Sequence, residues 1–326
     1  MKKTKLLAFG LGLLAAAGTS FGQLPVSETV GIFPTEIVTG FNVVALPFDE
    51  SPTLTGTVAS ASGISVTLDQ DASAAGVGAN FSIRFTSGAN AGLTREIASA
   101  AGTVLTLTNP VSSWVSSDDG YATYEIVAHP TLDSAFPGGG GLVTNATSGL
   151  ADQIFVPDST GFNFDQYFHN GTIWQDAVTP AGDAGSTAIG KPGSAVMIFK
   201  PFGAPLTIGI SGVAQSVSAG VEINGTSGFF PVANAFGSGT TLDDSGLDAI
   251  LLANATSGLA DQVWIPNAFF NFDQYFYNGT IWQDAVTPAG DVGSTPIPAG
   301  SGILVFKTIS PTVQDWTIQE VFATGP

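Results

Sequence analysis

The sequence predicts an all-β protein built of two homologous β-sandwich-like units from an internal duplication, the first interrupted by a small inserted β-barrel or sandwich domain. Three observations predict it. First, Asn163–Asp183 (NFDQYFHNGTIWQDAVTPAGD) returns at Asn271–Asp291 with 20 of 21 positions identical, the exception being His169 against Tyr277. Second, NATSGLADQ at Asn145–Gln153 returns unchanged at Asn254–Gln262. Such repetition is read before any other feature, because it fixes the architecture. Third, the chain holds 41 Gly, no Cys and only 10% charged residues, with short apolar runs between turn signals. That is the composition of many short strands.

In chain order, residues 1–22 read as a secretory signal. Lys2, Lys3 and Lys5 supply the charged region, Leu6–Ala17 the apolar one, and Ser20-Phe21-Gly22 the small residues of a cleavage site. The apolar run is shorter than a resident membrane helix needs, and no later run reaches that length. The expectation is an exported protein, periplasmic, on the outer surface or extracellular. Residues 23–48 with 131–204 read as the first unit, 49–130 as the insert and 205–326 as the second unit. The motive is that Gly40–Phe48 (GFNVVALPF) is echoed by Gly228–Phe236 (GFFPVANAF), and Thr131-Leu132-Asp133 by Thr241-Leu242-Asp243. In the second unit these motifs nearly touch, whereas residues 49–130 part them in the first. A loop is where such an insertion is tolerated. Within the insert, Thr55–Val58, Ile64–Leu68, Phe81–Phe85, Thr94–Ile97, Val104–Leu107 and Tyr121–Val127 alternate as strands, and Trp114 precedes an Asp118-Asp119-Gly120 turn. Ala195–Lys200 and Ile303–Lys307 read as the strands closing each unit, Leu206–Ile210 as the start of the second, and Asp315–Phe322 as its last strand. Helix is expected only as one turn at Ser148–Gln153 and a short segment at Asp243–Leu252.

The repeated core reads as a hairpin. Asn170-Gly171 and Asn278-Gly279 suit a two-residue turn with positive φ at both central positions. That register sets Tyr167 opposite Trp174 and Tyr275 opposite Trp282. These four aromatics are the candidate ligand-binding residues, since rings flanked by Asn, Gln and Asp stack on sugars and two copies give avidity. The alternative is cross-strand core packing.

SETVGIF, GFNVVALPF, the TGTV…FTSGANAGLTREI insert and the W…AGD…strand ending together resemble an uncharacterised family of exported, signal-peptide-bearing β-rich proteins from verrucomicrobial bacteria. The resemblance spans nearly the whole chain after the signal. It implies export and a β architecture and carries over no catalytic residue.

Charge narrows the partners. Three of the eight Lys and Arg residues lie in 1–22, which has no acid, so five bases face 26 acids beyond it. Those five are Arg84, Arg95, Lys191, Lys200 and Lys307. Nucleic acid is not a partner for such a chain, because nothing neutralises phosphates. An anionic membrane surface repels it. Without Cys, thiol catalysis and Cys-ligated metals are excluded. No cofactor is expected. Calcium is the ion that hard oxygen ligands suit, and Asp165, Asp176, Asp183, Asp273, Asp284 and Asp291 are the candidate ligands. The same carboxylates, with Asp152 and Asp261, are the residues a glycan-cleaving enzyme would use, although Asp beside Gly is ordinary turn chemistry. His129 and His169 are the only histidines, and neither sits in a triad or metal motif. Gly138–Gly141 lacks the Lys of a phosphate loop and reads as a flexible joint. Five Asn-x-Thr triplets, at Asn145, Asn170, Asn224, Asn254 and Asn278, read as turns rather than glycosylation sites. The expectation is an exported non-catalytic β protein of the cell surface, matrix or adhesion class, meeting glycans or other surface proteins. The alternatives are a carbohydrate-binding module pair and a secreted glycan-active enzyme.

Overall fold

The computed structural model describes residues 30–46, 50–111, 122–158, 160–213, 219–223, 227–233, 240–267, 271–298, 301–308 and 314–318. The signal read at 1–22, Trp114 with its Asp118–Gly120 turn, and Asn224 lie outside them. The architecture is all-β. It begins with β1 (Val30–Ile37) and β2 (Gly40–Ala45). A closed barrel follows, with strands β3 (Leu54–Ser62), β4 (Ser65–Leu68), β5 (Phe81–Phe85), β6 (Thr94–Ala101), β7 (Val104–Leu107) and β8 (Thr123–Ala128). Its order is β3-β4-β7-β6-β5-β8. Closure leaves no exposed strand edge. Alternation along each strand sends Val66, Leu68, Ile83, Phe85, Ile97, Leu105, Tyr124 and Ile126 into one core.

After a one-turn helix, α1 (Leu132–Ala135), come β9 (Gln153–Pro157), β10 (Phe164–His169), β11 (Trp174–Asp176), β12 (Ala195–Lys200) and β13 (Leu206–Val213). The helix starts on a capping box in which Thr131 and Ser134 bond each other's backbone N–H. The second unit comprises β14 (Ala219–Ile223), β15 (Gly228–Ala233), β16 (Thr240–Thr241), β17 (Gln262–Pro266), β18 (Phe272–Tyr277), β19 (Trp282–Asp284), β20 (Pro296–Ile297), β21 (Gly302–Lys307) and β22 (Gln314–Ile318). Leu132–Ala135 was not expected as helix, and within Asp243–Leu252 only a 3-10 turn at Leu247–Ala249 forms.

Each unit is a sandwich of a five-stranded antiparallel sheet on a two-stranded one, and the second unit adds a further short pair, β16-β20. The orders are β11-β10-β9-β12-β2 with β1-β13, and β15-β21-β17-β18-β19 with β14-β22. Leu206–Val213 therefore closes the first unit instead of opening the second. It pairs with β1 from Ile37↔Leu206 to Val30↔Val213, and Ile208 and Ile210 join Ile37, Val44, Trp174 and Ile198 in the first core. The second core has the same plan around Ile223, Val263, Trp282, Ile303 and Trp316.

The two five-stranded sheets also pack on each other through a second, aromatic layer. Val43, Ala195, Met197 and Leu304 form its centre, with Phe41, Phe155, Phe164, Phe229, Trp264 and Phe272 around them. This explains why the sheet strands are apolar on both faces. At Gly302 the sheets come so close that a Cβ would lie 2.3 Å from Ala195 Cβ and 2.5 Å from Val43 Cγ1. Gly302→Ala is expected to cost about 1–3 kcal/mol through overpacking, read by denaturant unfolding. No helix among the described residues is long and apolar enough to cross a membrane.

Candidate functional site

The twin hairpins form, with a register two residues away from the one expected. Tyr167 faces Asp176, Phe168 faces Gln175 and His169 faces Trp174, and the second copy repeats this from Tyr275↔Asp284 to Tyr277↔Trp282. The turn is four residues, Asn170–Ile173, because the Asn side chain caps it. Asn170 Oδ1 accepts from the N–H groups of Thr172 (2.8 Å) and Ile173 (3.0 Å), and Asn278 does the same for Thr280 and Ile281. Gly171 and Gly279 take φ near +100°. A shift of two preserves the faces, so Tyr167 and Trp174 still share one.

That face is core. Trp174 and Trp282 are both 0% exposed. Trp174 lies against Phe136 and His169, and Trp282 against Tyr277. Tyr275 is buried and Tyr167 half-buried. The two indoles thus offer no ring face for a sugar: the wide, flat indole is what fills each sandwich. Gly138–Gly141 is likewise no loose joint, because Gly139 is buried against the His169 ring.

The repeated carboxylates hold turns. Asp176 Oδ1 accepts from Val178 and Thr179 N–H at 2.7 Å each, and the Thr179 bond leads in pulling its pKa down. Asp284 repeats this with Val286 and Thr287, while Asp183 and Asp291 accept from Gly185 and Gly293 N–H at 2.9 Å. Asp273 accepts from Asn267, and Asp165 is exposed on β10. Among the described residues no three His, Asp or Glu side chains converge on a metal position. The calcium expectation therefore finds no ligand set there.

Two further repeated residues are more telling. Lys200 Nζ lies 3.6 Å from Asp152 Oδ2, and Lys307 Nζ 4.0 Å from Asp261 Oδ2, all four side chains almost fully enclosed. Asp261 also accepts from the N–H groups of Leu252 and Thr308. Lys307 donates to Gln314, and burial lowers its pKa against the pull of Asp261.

A dense group of ionisable side chains lies where barrel, first unit and second unit meet. Arg95 of β6 forms a bidentate pair with Asp315 of β22 (2.6 and 2.8 Å). Glu222 of β14 accepts from Asn109 (2.8 Å) and from Lys191 Nζ (3.2 Å), with Arg95 3.8 Å from its other oxygen. Lys191 also reaches Glu96 at 3.8 Å. The cleft beside it is lined by Glu96, His129, Lys191 and Ser194. His129 Nε2 is 2.9 Å from Ser82 Oγ. Ser82 is 0% exposed, so no substrate carbonyl reaches that hydroxyl. Lys191 is engaged by Glu222 and Glu96. What this site does is clamp three bodies together with charge.

Burial first, then the Lys191 ammonium, lowers the His129 pKa from 6.5 to about 4. Unfolding frees the ring to take a proton near pH 6.5, whereas the folded state resists until about pH 4. Stability is therefore full above pH 6.5 and falls as pH drops toward 4, by up to about 3 kcal/mol. His129→Gln is expected to flatten that slope in unfolding curves taken across the window.

Lys191, Arg95, Glu96, Glu222 and Asp315 were not singled out by motif. The available signal was scarcity: in a chain this acidic, each retained base marks a carboxylate that needs it. All five bases beyond residue 22 are ion-paired, Arg84 with Glu125 being the fifth set. Comparison with protein-family models, curated proteins and solved structures gives no match. The resemblance to verrucomicrobial exported proteins rests on the sequence motifs alone.

Proposed function

We propose that this chain is an exported, non-catalytic β protein that serves as a cell-surface, matrix or adhesion component. One observation carries the reading: every Lys and Arg beyond the N-terminal segment is taken up in internal pairing, and the repeated indoles are taken up in cores. Carboxylates and side-chain-capped turns stand on the outside of the double sandwich, beside exposed apolar residues such as Val178 and Val286. Around Asp243, for example, burial and then Asp291, Asp244 and Asp248 raise its pKa. A surface of one sign selects partners by charge and repels copies of itself. Sugar stacking on Tyr167, Trp174, Tyr275 and Trp282 is not part of the reading, because the indoles are enclosed. Cell fractionation of the full chain tests it. Recovery from the periplasm, outer surface or medium is expected, and recovery from the cytoplasm alone overturns it.

A further inference from the structure

The two units meet about a pseudo-two-fold axis. Val44 bridges Ser301, and its counterpart Val232 bridges Ser194. Phe41 touches Phe272 at 6.1 Å, and Phe229 touches Phe164 at 5.9 Å. Such reciprocity is the mark of a self-complementary interface. It creates two equivalent clefts, one on each side of the axis. The cleft facing the barrel is lined by Pro157, Val221, Glu222, Phe229 and Pro231. The other, about 380 Å³, is lined by Pro266, Thr35, Glu36, Phe41 and Val43, residue for residue the counterparts.

The two differ at one decisive place. In the first cleft Lys191 enters from the Gly190–Ser194 loop and sets its ammonium on Glu222. In the second, Pro298 stands where Lys191 would. Glu36 there is exposed, and none of the ion pairs of the five bases involves it. The proline and phenylalanine walls are kept (Pro157 as Pro266, Phe229 as Phe41) and so is the counter-ion, while Val221 gives way to Thr35, Pro231 to Val43, and the lysine is missing. A lysine stem lies well along apolar walls with its charge at the rim.

We propose that this second cleft binds a lysine side chain presented by a loop of a partner protein, with Glu36 as its counter-ion and Phe41 and Pro266 flanking the stem. The molecule carries its own template for the occupant, the Ala188–Ala195 loop (AIGKPGSA). The probe is therefore the blocked peptide of that sequence, titrated against the full chain and followed by NMR at residues 35–44. Saturable, weak binding is expected, at least about tenfold tighter than for the peptide with norleucine in place of lysine, since that ratio is what an ion pair of about 1.4 kcal/mol supplies. Glu36→Gln, an exposed isosteric change that leaves the thermal unfolding intact, is expected to bring the lysine peptide down to the norleucine level. Equal binding of both peptides, or undiminished binding by Glu36→Gln, overturns the proposal. So does n-butylammonium binding as tightly as the peptide, which would assign the cleft to free amines. The titration reads this cleft only, and fractionation reads location only, so either idea can fail without the other.

Discussion

Asp261→Ala is expected to destabilise the second unit by about 3–5 kcal/mol, the range for breaking an enclosed ion pair from one side. Three losses coincide there. Lys307, 0% exposed, loses its counter-ion. The N–H groups of Leu252 and Thr308 lose the carboxylate oxygens they donate to. Filling the gap with an apolar residue does not help, because those two donors stay unmet and a buried unmet donor costs about 1–3 kcal/mol. That separates this pair from buried ion pairs whose apolar replacement is neutral. Asp261→Asn is expected to lie between wild type and Ala, since it keeps an acceptor but gives up the charge. Denaturant unfolding followed at Trp264, Trp282 and Trp316 fluorescence checks the series. A loss below about 1 kcal/mol for Asp261→Ala would show that the ammonium finds water on its own.

Trp282→Ala is expected to cost about 3–5 kcal/mol, the range for emptying an aromatic site in a packed core. Trp282→Phe should cost far less, on the order of 1–2 kcal/mol, for a specific reason. Among the described residues the Trp282 indole N–H has no hydrogen-bond acceptor, and neither has that of Trp174. Removing an unmet buried donor returns part of what the lost volume takes away. A sugar-stacking residue behaves otherwise: its loss leaves stability nearly unchanged and removes binding. Parallel unfolding curves for Trp174→Ala and Trp282→Ala therefore distinguish core from platform, and matched losses in the two are expected.

Much of the fold was legible because it is local. The β class follows from alternation between Gly and Asn turns, and the hairpins follow from Asn-Gly. The register was not legible, because Asn170 had two uses. The dipeptide suits a two-residue turn, yet the Oδ1 atom captures two further N–H groups and widens it to four residues. The fate of Trp174 was not legible either. Alternation tells which residues share a face and is silent on what covers that face. Local pattern reads Leu206–Ile210 into the second unit, because its partner, Val30–Ile37, lies at the far end of the first one. The ion pairs are long-range too: nothing in the neighbourhood of Lys200 names Asp152. Only the rarity of bases could have prompted the search.

The pairing of β1 with β13 sets an order of events as the chain is made. The barrel strands find all their partners between Leu54 and Ala128, so that module can mature early, as short-range contacts form fast. Strand β1 waits far longer, since Val30 meets Val213. Meanwhile its ladder groups are bare and prone to wrong company. Pro34 in its middle withholds one amide from any stray neighbour. A newborn chain halted before residue 206 would therefore hold a finished barrel beside an orphaned strand.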